Sequence, residues 1–220
     1  MKTLVIAPHA DDEVLGVGGT LFKRNIKKNN SIYWLLITMP TVPNYTKNFI
    51  KKRESQIEKI IKIFKIKKFF NLNFKPSELD KVPKKLLVEK ITDVIKYIRP
   101  DEIFVPHVSD VHSDHKVVSE VISTCTKSFR FKFIKTILAY EVLSETNFNL
   151  QKKTFFKPNY YEDISKFLNK KVAAMKIYKS EIKKFPFPRS VTAIKSLARV
   201  RGSEIGANAA EAFEILKIKN

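Results

Sequence analysis

Apolar residues fall in short blocks along the first two-thirds of the chain, and amphipathic stretches separate them. Residues 2–7 (KTLVIA) form one such block, closed by Pro8, with the length and continuity of a strand buried on both faces. SIYWLLIT (31–38) repeats the pattern and ends before Pro40. KKFFNL (67–72), EIFVP (102–106) and KFIKTILAY (132–140) supply three further predicted strands. Between them, helices are predicted over 18–28, 47–65, 83–98 and 113–126. The second carries Ile50, Ile57, Ile60, Ile61 and Phe64 on one face, and the third carries Leu87, Ile91, Val94, Ile95 and Ile98. Strands that alternate with helices imply right-handed βαβ units. The expected fold is α/β and Rossmann-like, a mostly parallel sheet with helices on both faces. After residue 150 the pattern predicts a long helix over 163–182, a turn at FPFP (185–188), a helix over 189–200 and a late strand at 210–218. No repeat, linker or low-complexity segment divides the chain, so residues 1–220 read as one domain with a C-terminal helical layer.

The balance of 44% hydrophobic and 29% charged residues excludes a disordered chain. No run of about 18 apolar residues exists, so no membrane span is expected. The N-terminal apolar stretch meets acids by Asp11, too soon for a signal-peptide core, and a cytoplasmic location is expected. Cys125 is the only cysteine, which excludes an internal disulfide and a cysteine-based zinc site. The net charge of +20 raises the alternative of a basic nucleic-acid-binding module. All but seven of the 42 basic residues are lysines, however, and they lie along the whole chain, as in a compositional bias with solvated faces. No specific nucleic-acid partner is therefore expected. Homo-oligomerisation is left open.

Two clusters carry the chemistry. His9-Ala10-Asp11-Asp12-Glu13 follows the first strand, and His112-Ser113-Asp114-His115 follows the fourth. In doubly wound sheets, ligands bind outside the carboxyl ends of the strands where the strand order reverses. With the order 3-2-1-4-5, strands one and four are neighbours at that reversal, and the clusters face each other. Two histidines and one carboxylate with an open position form a catalytic zinc site. The same set holds Fe(II) in non-heme oxygenases, which stays as an alternative. A neighbouring carboxylate could deprotonate a metal-bound water. Read blandly, Asp11 and Asp12 are helix caps and Asp114 a first-turn acid. Gly16, Gly18 and Gly19 suggest a phosphate loop at a helix start, but Leu21 replaces the third glycine of G-x-G-x-x-G, and strand two lacks an acid for ribose. No G-x-S-x-G elbow is present either.

HADDEVLGVGGTL and HSDH resemble the AHPDDE and HPDH signatures of the PIG-L/LmbE-like zinc-dependent N-deacetylases. Lys52-Arg53-Glu54-Ser55-Gln56, Arg99-Pro100-Asp101, Ala139-Tyr140-Glu141-Val142 and the RGSEIG and AEAF segments extend the resemblance over nearly the whole chain. It implies removal of an N-acetyl group from an N-acetylglucosamine-like sugar or its conjugate, with Zn2+ or another divalent ion as cofactor. It further implies His9, Asp12 and His115 as metal ligands, Asp11 as general base and His112 as the group that polarises the carbonyl. Asp114 would orient or tune His112. Arg53, Asp110 and Glu141 are the expected substrate contacts, with Arg53 suited to a phosphate or carboxylate on the aglycone. Ala10 and Ser113 replace the two signature prolines, and Gln56 stands where many members carry Glu.

Overall fold

In the computed structural model, which describes residues 1–150 and 155–219, the apolar blocks line up as one seven-stranded sheet. β1 (Lys2–Ala7), β2 (Ser31–Thr38), β3 (Lys68–Phe74), β4 (Glu102–Pro106) and β5 (Thr136–Tyr140) run parallel. β6 (Tyr160–Asp163) and β7 (Ala210–Ile218) extend the sheet antiparallel, giving the order β3-β2-β1-β4-β5-β7-β6. The chain thus builds outward from β1 to β3, then returns to lay β4 on the other side of β1. That reversal is the one the sequence pattern anticipated.

Alternate residues of each strand face opposite ways, and this divides the core. Val5, Ala7, Trp34 and Leu36 pack with α1 (Asp12–Asn25) and α2 (Lys47–Ile63). Leu4, Ile6, Leu35 and Ile37 pack with α3 (Lys84–Ile98) and α4 (Ser113–Cys125). The central strands are therefore apolar on both faces, which is why their sequences are continuous rather than alternating.

The C-terminal third departs from the sequence reading. The long helix expected over 163–182 is instead the end of β6, a turn, and the eight-residue α5 (Leu168–Met175) followed by further turns. Ile164, Phe167, Val172, Met175 and Tyr178 are all buried, so the apolar spacing marks burial of a strand end and two turns as well as a short helix. Residues 160–163 pair with β7, and this long-range pairing overrides local periodicity. The last helix, α6, spans Val191–Ser203, and β5 begins at Thr136 rather than at residue 132.

α1 also begins earlier than expected, at Asp12 rather than at residue 18, so Gly16 lies inside it and Gly18 and Gly19 stand in its middle rather than at its start. A Cβ on Gly16 would fall 2.3 Å from the Tyr140 ring, and one on Gly19 would fall 2.7 Å from Ile164. The glycines let the helix sit closely on the sheet. Glu211 of β7 reaches into α1 and accepts the N–H groups of Gly19 (2.8 Å) and Thr20 (2.7 Å). Buried Lys171 bonds the same carboxylate at 2.6 Å and the Leu15 carbonyl at 2.7 Å. An ion pair is thus set into the backbone of the helix that carries half of the site.

At the opposite end of α1, Arg24 is 3% exposed and bonds both Glu102 (2.9 and 3.2 Å) and Glu162 (2.6 Å). It ties α1 to β4 and to β6. Burial raises the Glu162 carboxyl, but the charges and hydrogen bonds of Arg24 and Lys23 outweigh it and hold the pKa below its ordinary 4.5. Removing Arg24 leaves two largely buried carboxylates without their main partner, a loss of roughly 3–5 kcal/mol. Arg24→Met should lower the thermal midpoint by roughly 6–20 °C at pH 7. A carboxyl with a depressed folded pKa stabilises above its unfolded value and loses that contribution as protons bind. The gap between wild type and Arg24→Met should therefore narrow as the pH falls below 4.5. A midpoint unchanged at pH 7, followed by differential scanning calorimetry, would show that the network does not hold the sheet together.

Candidate metal centre and pocket

Both signature clusters stand at the carboxyl ends of adjacent strands, β1 and β4, where the sheet order reverses. Asp11 caps α1 with φ 150° and ψ −23°, a backbone region that a residue with a side chain rarely adopts. The turn is held from inside. Glu13 accepts the Asp11 N–H at 3.0 Å, and the Tyr178 hydroxyl donates to Glu13 at 2.7 Å. Burial, with the charge of Asp11 adding to it, pushes the Glu13 carboxyl up to about 8 against the Tyr178 hydrogen bond. This turn places Asp12 at the start of the helix facing β4, and Asp11 facing the pocket.

Asp12 Oδ2 accepts the His9 backbone N–H at 2.8 Å. The same oxygen lies 3.2 Å from His115 Nε2 and 3.6 Å from His9 Nδ1, and the two nitrogens are 3.2 Å apart. Ligand atoms about 2.0–2.1 Å from a tetrahedral zinc stand about 3.3 Å from one another. The three donors therefore already have the spacing that such an ion requires. The Asp12 carboxyl sits well below its ordinary range, because the His115 and His9 charges and hydrogen bonds overcome the cost of burial.

Each imidazole is backed by a second carboxylate. His115 Nδ1 bonds Asp110 Oδ2 at 2.8 Å, and His9 Nε2 bonds Asp114 Oδ2 at 2.9 Å. An ion held between them would leave the protons on these outer nitrogens and take the lone pairs of the facing ones, the usual orientation of metal-binding histidines. Burial would keep both histidines neutral. Without an ion the opposing carboxylates win: Asp114 and Asp12 raise His9 to about 9, and Asp12 and Asp110 raise His115 well above 6.5, so an ion would have to displace a proton from each facing nitrogen.

His9, His112 and Asp114 form a second group whose donor atoms lie close together. Asp114 is already committed, because its carboxylate accepts the N–H groups of Ser77 (2.7 Å) and Leu79 (3.1 Å) besides His9. The His9, Asp12 and His115 set turns its donor atoms toward one another, which makes it the better seat for an ion.

The expected substrate contacts are rearranged. Asp110 is fully buried behind His115 and also accepts from the Thr146 hydroxyl, so it does not reach the pocket. Glu141 turns away and pairs with Arg201 through two bonds of 2.8 Å. Arg53 does line the pocket, but its guanidinium is spent on the Ala10 carbonyl (2.6 Å) and on Glu181. Asp114 does not bond the His112 ring with its carboxylate. The contact is the Asp114 backbone N–H, which donates to His112 Nδ1 at 3.1 Å. That bond leaves Nε2 as the protonated nitrogen of a neutral His112. Burial and the charges of His9 and His115 push this imidazole down to about 4. Gln56 bonds the Ile177 carbonyl, and His107 bonds Ser109 and Glu214; both are structural contacts.

The clusters open onto a cavity of about 220 Å³. This is below the ~300–1,000 Å³ of sites for drug-sized ligands, so it suits one small ring or group. Tyr45 and Phe49, stacked with ring centroids 5.2 Å apart, form one wall, and Ser77, Glu145, Glu181 and Arg189 contribute polar atoms. Asp11 is 4% exposed, and Arg189 Nη1 bonds its Oδ2 at 2.9 Å. Burial, followed by the neighbouring Asp12 charge, pushes the Asp11 carboxyl up to about 7, with Arg189 opposing. Tyr45, Glu145, Glu181 and Arg189 were not among the residues expected from sequence. The first stands in a turn before α2, and the others lie in irregular segments, Glu181 and Arg189 in stretches whose pattern reads as helix.

Among the described residues, no helix is long and apolar enough to cross a membrane. The model of the PIG-L family, GlcNAc-PI de-N-acetylase, matches residues 4–126, which include all of the metal-centre side chains. The fold is similar to that of N,N'-diacetylchitobiose deacetylase from Pyrococcus horikoshii, at 20% identity and a TM-score of 0.77, covering 98% of this chain and 83% of that one. It is similar to the conserved protein TT1542 from Thermus thermophilus, at 25% identity and a TM-score of 0.77, over 99% and 95% of the two chains. The 4-carboxy-2-hydroxymuconate hydratase GalB from Pseudomonas putida KT2440 also shares the fold, at 14% identity and a TM-score of 0.74, over 100% and 98%. With the signature residues assembled at the reversal of the sheet and the family match spanning both clusters, this chain belongs to the PIG-L family.

Proposed function

We propose that the protein is a zinc-dependent N-deacetylase that removes the acetyl group from an N-acetylglucosamine-like sugar or its conjugate. The observation that carries this reading is the donor triangle of His9 Nδ1, Asp12 Oδ2 and His115 Nε2, with separations of 3.2–3.6 Å and the Asp11 carboxylate beside it. Family membership and the deacetylases among the fold relatives support the same class. The strands of one sheet run from residue 2 to residue 218, which supports a single catalytic domain. His9, Asp12 and His115 would hold the ion. Bound there, Zn2+ supplies the positive charge that acidifies water and polarises an amide carbonyl.

The protein side chains divide the remaining work. Asp11, held next to the centre, takes a proton from the attacking water. The new C–O bond forms as the carbonyl electrons move to oxygen. His112 Nε2–H donates to that oxyanion, and a neutral imidazole does so without adding another cation beside two ligand histidines. When the C–N bond breaks, the proton held by Asp11 passes to the leaving nitrogen, so a free amine and acetate result. Asp110 and Asp114 position His115 and His9 from behind. The Tyr45–Phe49 wall offers an apolar face to the sugar ring.

The role of Arg53 differs from the sequence expectation. Its charge is committed to Glu181, so recognition of an anionic aglycone is not assigned to it.

Incubation of zinc-loaded protein with a panel of N-acetylated sugars and conjugates should release primary amine and equimolar acetate. Chelation should abolish the release, and Zn2+ should restore it. Full turnover in metal-free protein would overturn the reading. Two adjacent carboxylates should behave differently. Asp12→Ala should lose the metal, whereas Asp11→Asn should keep it and lose on the order of 10²–10⁴ in kcat. Metal content and turnover measured on the same preparations decide this, and an Asp11→Asn protein without metal would reverse the two assignments. Asp110→Asn should weaken metal affinity by about 10–100-fold, because the carboxylate behind His115 is lost. Titration against a competing chelator reads that value, and unchanged affinity would leave Asp110 as a packing residue.

A further inference from the structure

We propose that Arg189 is a positioning residue that fixes the Asp11 carboxylate in its working orientation. The inference rests on the reading of Asp11 as the base. Its observations are separate, because they concern a segment remote from both signatures. Arg189 follows the FPFP turn near the C-terminal end of the chain and reaches back across the pocket wall.

The backbone of Asp11 is held by Glu13 at its N–H (3.0 Å) and by the N–H groups of Val14 (3.0 Å) and Leu15 (2.9 Å) at its carbonyl. Those contacts leave the side-chain torsion free. The neighbouring Asp12 carboxylate repels it, and rotation toward open solvent would relieve that repulsion. Arg189 Nη1 opposes the rotation through its 2.9 Å bond to Oδ2. Among the described residues, Asp11 Oδ1 accepts no other hydrogen bond, so one oxygen is anchored and one is left to take a proton.

The guanidinium is itself fixed. It lies 3.4 Å from Glu181 Oε2, and Glu181 also pairs with Arg53, which bonds the Ala10 carbonyl at 2.6 Å. Asp11 and the residue before it are therefore bonded to the two ends of one chain of ion pairs. Arg189 Nη1 is already occupied by two carboxylates. This favours positioning over substrate capture. Both carboxylates are met by the same nitrogen, Nη1, so a positive charge at that point is what the position requires.

The test uses the full-length protein as wild type, R189A, R189K, D11N and the D11N/R189A double variant. Thermal midpoints in chelator form a double-mutant cycle that needs no activity. Bonded partners should depart from additivity by about 2 °C or more. In zinc-loaded protein, R189A should keep its metal and lose on the order of 10²-fold in kcat, with KM changed by less than about threefold. R189K should retain part of the rate that R189A loses, because one nitrogen makes both contacts, and added guanidinium should restore part of the R189A rate. Additive midpoints, an unchanged kcat, a loss confined to KM, or loss of metal in R189A would each overturn the proposal. If wild type releases amine from no sugar in the panel, the deacetylase reading fails instead, and the cycle alone decides whether Arg189 holds Asp11.

Discussion

The site depends on one carboxylate oxygen, Asp12 Oδ2. It accepts the backbone N–H of His9, faces imidazole nitrogens of His9 and His115, and stands at the first residue of α1. Backbone N–H groups at a helix start and two histidines together make a buried negative charge tolerable there. Much else follows from this placement. With Asp12 drawn into the helix facing β4, Asp11 must turn the chain sharply, and its φ of 150° is the result. Glu13, Tyr178 and Arg189 then hold that turn from three sides.

A layered arrangement of acids surrounds the two ligand histidines. Asp12 lies between them, while Asp110 and Asp114 lie behind them. Each outer carboxylate also accepts from neighbouring elements, Thr146 in one case and the backbone at 77–79 in the other. Those bonds connect the loops after β3 and β5 to the metal centre. A protein carrying +20 overall thus gathers three carboxylates around the two ligand histidines, the local charge a divalent cation needs.

Much of this could be read from the sequence because the relevant signals are local. Short apolar blocks ending at Pro8 and Pro40 gave strands buried on both faces, and the His-rich clusters at two strand ends met where the strand order reverses. The errors arise where long-range contacts decide. Glycines 16, 18 and 19 look like the opening of a helix, yet they lie in its body, where Tyr140 and Ile164 leave no room for a Cβ at Gly16 and Gly19. Residues 163–182 carry helical spacing, yet pairing with β7 takes the first of them into a strand. The acids Asp110, Asp114 and Glu141 look alike in a sequence. Only the fold shows that two back histidines and the third pairs with Arg201. Arg189 is beyond sequence reasoning, since nothing local marks an arginine after FPFP as a partner of Asp11. The fold itself does not name a reaction, because a hydratase shares it at 14% identity, and so the side chains must carry the functional argument.

The most direct test is a crystal structure of the zinc-loaded protein with anomalous data collected on both sides of the zinc absorption edge. The account predicts one strong peak about 2.0–2.2 Å from His9 Nδ1, Asp12 Oδ2 and His115 Nε2, with Asp11 outside that distance. A peak bound instead by His9 Nε2, His112 and Asp114, or an ion that takes Asp11 as a ligand, would contradict it.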